Sequence, residues 1–279
     1  MTDVSYEIDS DGIAVITWDL EDRSMNVLNF NSLAEYRDII NKLIPDEKVK
    51  GIVLCSAKDA FIAGADLTSS EVFGFDKLNE DRVKAAEKIY NGNMEMQILF
   101  RSMETSGKPF VAAINGHALG GGFEICLACH YRVAIDNDKI QIGQPEAKVG
   151  LIPGAGGTQR VPRLAGVNQD IMGFLMAGTS FTPKKALSSG LIHEVTDKDN
   201  LISAAKKYIK DGGKSVQPWD EKSYKFPGGL PYTPKGMMIW GAAASSLRKM
   251  SYNNYPAQSA ILSALYEGIQ VPIDAALRI

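Results

Sequence analysis

The chain contains the segment Ala112-Ala-Ile-Asn-Gly-His-Ala-Leu-Gly-Gly-Gly-Phe-Glu124, in which an apolar strand runs into three successive glycines and then into an apolar helix. Glycine allows a ligand to approach the main chain closely, and the first N–H groups of a helix lack partners within it. Such donors, aided by the helix dipole, stabilise a negative charge that develops on an oxygen atom. The segment therefore predicts an oxyanion-binding turn at the start of a helix, with Glu124 in the first helical turn.

A second glycine-rich segment, Ile142-Gly-Gln-Pro-Glu-Ala-Lys-Val-Gly-Leu-Ile-Pro-Gly-Ala-Gly-Gly-Thr-Gln-Arg160, carries another carboxylate. Glu146 follows Pro145 there, in otherwise weakly polar surroundings. Two carboxylates beside an oxyanion-binding turn favour acid–base chemistry, because such a reaction uses groups in different protonation states. The alternative is that each glutamate is a solvated surface carboxylate, or that Glu124 stabilises the helix N-terminus. The spacing alone does not show that the two side chains converge.

Strand and helix patterns alternate on both sides of these segments. Val4–Ile8 and Ile13–Trp18 predict a hairpin through Gly12, and Gly51–Cys55 is typical of a buried parallel strand. The alternation predicts an α/β architecture with a largely parallel sheet. Further strands are predicted at Phe110–Ile114, Tyr131–Ile135 and Ile140–Ile142, and helices at Asn31–Ile44 with Asn31 as the N-cap, Glu80–Met103, Gly122–Cys129, Asn168–Ala177, Thr182–Ser189, Asn200–Lys210, Gly236–Met250 and Ala257–Glu267.

The amino-acid composition changes after Lys210. Residues 211–234 contain four Gly and four Pro, which is the composition of a linker, and helical periodicity resumes beyond them. We therefore predict a core at 1–210, a linker at 211–234 and a helical C-terminal extension at 235–279. The pattern at Ile273–Ile279 ends without a helix stop signal. Either this helix packs on something outside the chain, or the chain is truncated before a further domain.

The composition of the chain, which has 279 residues, excludes several classes of protein. A net charge of −3 gives no basic surface for nucleic acid, and no apolar run has the length of a membrane span. Three cysteines and a start without a secretory signal indicate a cytoplasmic protein. Cys126-Leu-Ala-Cys129-His130 matches a haem-attachment or dithiol motif, but core packing is the preferred interpretation. The three histidines lack metal-ligand spacing, so no metal site is predicted.

Together with Phe61-Ile-Ala-Gly-Ala-Asp-Leu67 upstream, the two glycine-rich segments resemble, in order, the motifs of the enoyl-CoA hydratase/isomerase (crotonase) family. The resemblance covers most of residues 4–210. It implies a crotonase-like spiral of repeated ββα units, to which the helical C-terminal extension is added, and assembly that is usually trimeric. It also implies a coenzyme A thioester as substrate, with no prosthetic group bound.

The resemblance assigns roles to individual residues. The backbone N–H groups of Ala65 and Gly121 would form the oxyanion hole for the thioester. Glu124 would act as the base on a water molecule, and Glu146 would protonate the α-carbon. Since both glutamates are present, the resemblance favours an enoyl-CoA hydratase that converts trans-2-enoyl-CoA to 3-hydroxyacyl-CoA in fatty-acid β-oxidation. The residues implied in substrate binding are Met25, Ala63, Asp66, Leu67, Gly120, Pro145 and Gly154.

Other functions stay open at this stage. A Δ3,Δ2-enoyl-CoA isomerase needs only one proton-shuttling carboxylate, and a non-catalytic crotonase-fold protein would instead bind RNA or act as a scaffold. Lys148, Arg160 and Arg163 supply positive charge for coenzyme A phosphates or, in the preferred interpretation, form structural ion pairs.

Three features resemble the N-terminal part of multifunctional fatty-acid oxidation α-subunits: a long turn at Asp136–Lys139, the stretch Leu127–Val133 and the region Tyr252–Pro256. Those subunits continue into a 3-hydroxyacyl-CoA dehydrogenase that binds NAD. We therefore expect the chain to be the hydratase portion, with no NAD site of its own. We expect a monomer or a homotrimer, with a thiolase subunit as partner in the full-length complex.

Overall fold

A computed structural model describes residues 2–68 and 81–279. Its strands are β1 (Val4–Ile8), β2 (Ile13–Trp18), β3 (Gly51–Ser56), β4 (Phe110–Ile114), β5 (Ala118–Leu119), β6 (Tyr131–Ile135), β7 (Ile142–Gly143) and β8 (Glu194–Thr196). The main sheet has the order β1-β2-β3-β4-β6-β8, and β5 pairs with β7 in a separate two-stranded sheet. Strands that follow one another in the chain are therefore neighbours in the main sheet, except that β5 and β7 lie outside it. The two glycine-rich segments contain β5 and β7.

The sheet confirms the predicted α/β architecture. β1 and β2 form the predicted antiparallel hairpin, and Gly12 turns the chain with a φ of +80°, which residues with a side chain rarely adopt. Every pair from β2 to β8 in the main sheet is parallel. β8 is missing from the predicted strands, because its three residues are all half-buried and form no apolar run or alternation.

The helices are α1 (Phe30–Leu43), α2 (Arg82–Glu104), α3 (Gly121–Ala128), α4 (Gly157–Ala165), α5 (Gln169–Met176), α6 (Pro183–Ser188), α7 (Leu201–Lys210), α8 (Pro234–Ser251), α9 (Pro256–Gly268) and α10 (Ile273–Ala276), with short 3-10 helices at Pro145–Val149 and Pro218–Asp220. Glu80, where the second helix was predicted to begin, lies outside the described residues. Neither α4 nor the 3-10 helix that contains Glu146 was predicted, since α4 begins at Gly157 and contains Pro162, and the 3-10 helix is a five-residue segment that begins at Pro145.

The predicted N-cap of α1 was wrong. The cap is Asn29, whose side chain accepts the Ser32 N–H, while the Ser32 side chain accepts the Asn29 N–H. This reciprocal pair requires a hydroxyl three residues after the cap. Asn31, the predicted cap, instead lies within the first turn of the helix.

The core is formed by the parallel strands and by α3, which is buried from Gly122 to Ala128. The thiols of Cys126 and Cys129 donate to carbonyl oxygens within this helix, and burial raises the pKa of both. They pack in the core, in agreement with the preferred interpretation of the Cys-x-x-Cys-His motif. Within residues 2–68 and 81–279, no helix combines the length and the apolar character needed to cross a membrane.

The C-terminal helices pack directly on the core. The Gln159 amide of α4 donates to the Ala264 carbonyl of α9. The Arg163 guanidinium donates to the carbonyls of Gly268 and Val271. Residues 211–234 cross between these parts with little regular structure. The division of the chain at 210 and 234 stays a prediction, since hydrogen bonds join the proposed core to the proposed extension.

Candidate active site

Two stretches of main chain lie side by side at the predicted oxyanion-binding turn. Ile62 and Ala118 form a parallel bridge, and a Cβ atom at Gly120 would lie only 3.7 Å from the Cα of Gly64. Gly120 itself has a φ of +52° and leads directly into α3. The structure thus brings the Phe61–Leu67 motif against the three-glycine turn, two segments that are more than 50 residues apart in the sequence.

The peptide geometry sets the direction of two N–H groups at this junction. The Gly64 carbonyl accepts the Leu28 N–H at 2.8 Å, so the Ala65 N–H of the same planar trans peptide points away from Leu28. The Gly120 carbonyl accepts the N–H groups of Phe123 and Glu124, so the Gly121 N–H points out from the start of α3. Neither N–H group has a hydrogen-bond acceptor in the described part of the chain. Both are therefore available to a ligand.

Glu124 is 2% exposed in the first turn of α3. Its Oε1 accepts the Gly157 N–H at 2.7 Å, which ties the carboxylate to the first residue of α4. A Cβ atom at Gly157 would lie 3.0 Å from this oxygen and 3.1 Å from the Gln144 Cδ. A side chain at position 157 would therefore require Glu124 and Gln144 to move away from α4 by a few tenths of an ångström.

Glu146 approaches the same turn from the opposite glycine-rich segment. A Cβ atom at Gly120 would lie 2.8 Å from the Glu146 Oε1, so this carboxylate covers the turn. One polar atom of the buried Gln144 amide lies 3.1 Å from Oε1 and 3.2 Å from Oε2 of Glu146. As a nitrogen it donates to the ionised carboxylate, and as an oxygen it accepts from the protonated acid, so the contact suits either charge state.

The two carboxyl groups influence each other's protonation. Burial raises the pKa of Glu124, although the Gly157 N–H and the Arg160 guanidinium act in the opposite direction. Burial also raises the pKa of Glu146, and the negative charge of Glu124 raises it further. Since two like charges repel strongly when they are removed from water, the pair favours a state that holds one proton. The Gly157 N–H and Arg160 stabilise the Glu124 anion, so that proton belongs on Glu146.

The other predicted substrate-binding residues are divided between the turn and the surface. Pro145 and Gly154 belong to the segments that carry Glu146 and lead into α4. Met25 and Leu67 are 47% and 60% exposed. The N–H groups of Ala63 and Asp66 are already bonded, to the carbonyls of Asn26 and Leu28, and the Asp66 carboxylate pairs with Arg23 at 2.8 Å. Neither of these two N–H groups is therefore free for a ligand, unlike that of Ala65.

Two residues at the site were missed by the sequence reasoning. Gln144 contacts Glu146, and Gln97 of α2 donates to the Gly154 carbonyl at 3.0 Å in the loop before α4. Gln144 has a local signal, because it lies two residues before a candidate catalytic glutamate. Gln97 has none, since its role depends on the packing of α2 against a distant loop.

The predicted basic residues divide between the core and the surface. Arg160 is fully buried and donates to Glu104 at 2.6 Å, which confirms the structural ion pair. Arg163 is buried on main-chain carbonyls, whereas Lys148 is exposed. Across residues 2–68 and 81–279, no three His, Cys, Asp or Glu side chains are grouped to hold a metal ion.

The part of the chain that contains this site matches a known family. A family model described as enoyl-CoA hydratase/isomerase matches residues 9–215, about three quarters of the chain. The chain belongs to the enoyl-CoA hydratase/isomerase family. The matched range contains both glycine-rich segments and the Phe61–Leu67 motif, so it covers every element that positions the two glutamates.

Relatives of this hydratase/isomerase chain include longer proteins. It is 38% identical over 276 residues to the fatty acid oxidation complex subunit alpha of Idiomarina loihiensis, which covers 98% of this chain and 37% of the relative. It is 34% identical over 261 residues to the subunit of the same name from Shewanella frigidimarina, covering 93% of this chain and 35% of the relative. The chain thus spans little more than a third of the curated relatives that it matches.

Two solved structures share the fold of this chain. An enoyl-CoA hydratase from Bacillus anthracis superposes with a TM-score of 0.64 at 24% identity, covering 99% of this chain and 87% of that protein. DspI of Pseudomonas aeruginosa gives a TM-score of 0.64, also at 24% identity, with 99% and 97% covered. At this level of identity the likeness establishes the fold, and the predicted crotonase-like architecture is confirmed.

Proposed function

We propose that this chain is an enoyl-CoA hydratase that adds water to trans-2-enoyl-CoA. The observation that carries the proposal is the convergence of Glu124 and Glu146 on one glycine turn, beside two outward-pointing N–H groups. A hydratase must deliver a hydroxyl group to one carbon and a proton to the next, so it uses one carboxyl group as a base and the other as an acid. The substrate class, a coenzyme A thioester, follows from the family to which the chain belongs.

The proposed reaction assigns a step to each group. The N–H groups of Ala65 and Gly121 donate to the thioester oxygen and polarise the conjugated double bond. Ionised Glu124 removes a proton from water as the water oxygen bonds to the β-carbon, and the electron pair moves onto the thioester oxygen as an enolate. Glu146 then protonates the α-carbon as the carbonyl re-forms. One proton enters Glu124 and one leaves Glu146, and proton exchange with solvent restores the starting state.

The alternatives lack an equivalent observation. An isomerase moves a proton between two carbons and needs one carboxyl group, so the second, half-buried glutamate, with its desolvation cost, would be unexplained. An RNA-binding or scaffolding role does not explain the convergence of a buried and a half-buried carboxylate either, and the net charge of −3 gives no attraction for nucleic acid. A minor isomerase activity is compatible with the same site.

The named relatives suggest a metabolic setting. Because the chain matches about a third of fatty acid oxidation complex alpha subunits, we propose that it corresponds to the hydratase portion of such a protein and acts in fatty-acid β-oxidation in the cytoplasm. The NAD-dependent dehydrogenase step and the thiolase partner would then belong to other parts of that complex. Whether the chain is a monomer or a homotrimer stays a prediction, which light scattering would test.

The decisive experiment follows the conjugated-enoyl absorbance of crotonyl-CoA and of a long-chain trans-2-enoyl-CoA. We expect the absorbance to fall on addition of the enzyme and to fall about 10²–10⁴ times more slowly with Glu124→Gln or Glu146→Gln. Glu95→Gln is the matched control, since Glu95 is an exposed carboxylate on α2 that pairs with Arg37, and its activity should stay within about twofold of wild type. Full turnover by both active-site variants would contradict the proposal.

A further inference from the structure

We propose that Asn26 is a positioning residue for the proposed reaction: it holds the loop that aims the Ala65 N–H at the thioester oxygen. The inference rests on the proposed function for its chemical meaning. It depends on a chain of hydrogen bonds that connects Asn26 to the Ala65 peptide, and no part of it depends on the two glutamates.

The Asn26 side chain is completely buried and contacts three separate parts of the fold. Its Oδ1 accepts the Leu20 N–H at 3.0 Å. Its Nδ2 donates to the Trp18 carbonyl at 2.9 Å, at the end of β2, and to the Ser56 Oγ at 2.8 Å, at the end of β3. A more distant contact reaches the Phe61 carbonyl at 3.4 Å. One amide therefore ties the irregular stretch after β2 to the ends of two adjacent strands.

Main-chain hydrogen bonds connect residues 26–28 to the stretch that contains Ala65. The Asn26 carbonyl accepts the Ala63 N–H at 2.8 Å. Two residues later, Leu28 forms hydrogen bonds with the residues before and after Ala65. The Leu28 N–H donates to the Gly64 carbonyl, and the Leu28 carbonyl accepts the Asp66 N–H at 2.9 Å. Since the Gly64 carbonyl and the Ala65 N–H belong to one rigid peptide plane, the position of Leu28 sets the direction of the Ala65 N–H.

An ion pair that also anchors this loop is weaker than the Asn26 contacts. Arg23 donates to the Asp66 carboxylate at 2.8 Å, but the Arg23 side chain is 45% exposed, and an exposed ion pair contributes little to rigidity. By contrast, the Asn26 amide is buried, and its hydrogen bonds cannot be replaced by water. Of these two side-chain anchors, Asn26 is thus the one that holds residues 26–28, and through them the Ala65 peptide.

The test uses Asn26→Asp, which keeps the size of the side chain. One Asp oxygen can still accept the Leu20 N–H. The other replaces the Nδ2 donor and faces the carbonyl oxygens of Trp18 and Phe61, which repel it because all three atoms are hydrogen-bond acceptors. We expect this repulsion to shift residues 26–28, and with them the Ala65 N–H, by enough to weaken its contact with the thioester oxygen. The loss of a single oxyanion donor costs about 10²–10³ in rate, so we expect kcat for crotonyl-CoA to fall between tenfold and that limit, with KM changed less than threefold.

A spectroscopic probe separates positioning from general destabilisation. The coenzyme A thioester of para-dimethylaminocinnamate has a conjugated donor, and its absorption moves to longer wavelength when its carbonyl oxygen accepts stronger hydrogen bonds. We expect the wild-type protein to produce this red shift and Asn26→Asp to lose most of it at saturating probe. Asn168→Ala is the control, because it removes the N-cap of α5 and so lowers the stability of the fold, and it leaves the Ala65 loop intact. Its red shift should equal that of wild type.

Each result has a defined meaning. A full red shift and wild-type kcat in Asn26→Asp would overturn the inference, and so would a wild-type protein that binds the probe without a red shift. A wild-type red shift that Asn26→Asp abolishes, in a protein that hydrates no enoyl-CoA, would support the positioning role and reject the proposed function. If Asn26→Asp does not fold, Ser56→Ala replaces it. This variant removes one acceptor of the Asn26 amide, and it should lose a measurable part of the red shift; an unchanged shift would count against the inference.

Discussion

Glu124 and Glu146 are the same type of residue, but their surroundings differ. Glu124 accepts a main-chain N–H from Gly157 and lies near the buried Arg160. Glu146 has the Gln144 amide beside it and also experiences the negative charge of Glu124. Two residues of one type can therefore serve as base and acid at the same pH, because hydrogen bonds and charges in their surroundings separate their pKa values.

The pH dependence of hydration should reflect this difference. The base must be ionised, so kcat/KM is expected to rise as the pH increases through the raised pKa of Glu124. The acid must be protonated, so kcat/KM is expected to fall as the pH increases through the still higher pKa of Glu146. Because both pKa values lie above the ordinary value of 4.5, the bell-shaped profile should be displaced to higher pH than an exposed carboxyl pair would give. Initial rates across a pH series would measure it, and a profile that is flat from acid to neutral pH would contradict the assignment.

At the level of elements, the start of α4 depends on contacts with α2. Arg160 of α4 donates to Glu104 of α2 at 2.6 Å, to Gln97 and to the Ala155 carbonyl. Glu104 also accepts from Arg101, whose guanidinium reaches Asp274 of α10. These contacts fix the loop from Gly154 to Gly157, which supplies the N–H that holds Glu124. The geometry of the site therefore depends on charges outside it.

We expect Glu104→Gln to be strongly destabilising. The substitution leaves the fully buried Arg160 without its carboxylate partner, and an uncompensated buried charge of this kind costs about 3–5 kcal/mol. Asp274→Asn is the matched control, since the Asp274 side chain is 71% exposed and pairs with the same cluster; it should cost less than about 1 kcal/mol. Urea unfolding followed by circular dichroism would measure both. Equal midpoints for the two variants would show that burial does not determine the strength of this network.

The whole molecule is also affected by the carboxyl pair. A carboxyl group with a pKa that is raised on folding binds its proton more tightly in the folded chain than in the unfolded chain. The free energy of unfolding therefore decreases as the pH rises above the ordinary carboxyl pKa of 4.5 towards the folded value. The site would thus lower the stability of the folded chain at the pH at which it works.

Glu146→Gln should reverse part of this effect. We expect the variant to be about 1–2 kcal/mol more stable than wild type at neutral and mildly alkaline pH. The difference should disappear below pH 4.5, where the glutamate is protonated in both folded and unfolded chains. Denaturant midpoints at several pH values would test the trend. A variant that is less stable than wild type at high pH would show that the buried charge is well solvated.

Local patterns predicted much of the fold. The hairpin through Gly12, the parallel strands predicted at Gly51–Cys55 and Phe110–Ile114, and the glycine turn that opens α3 all follow from short-range features of the chain, and the first of these strands extends one residue further, to Ser56. Glycine permits a positive φ, and an uninterrupted apolar run indicates a strand that is buried on both faces. The errors are also local in origin. Asn29 replaced Asn31 as the cap of α1 because the hydroxyl of Ser32 completes the capping box.

The sequence by itself determined the α/β class, the family resemblance and the pair of candidate glutamates. Only the tertiary structure decided that Glu146 covers Gly120, that Gly157 holds Glu124, and that Asn26 supports the Ala65 peptide. The reason is physical: backbone sterics and side-chain periodicity act over a few residues, so they can be read along the chain. Contacts between residues tens of positions apart depend on how strands pair and helices pack, and the spacing of residue types does not encode the resulting distances.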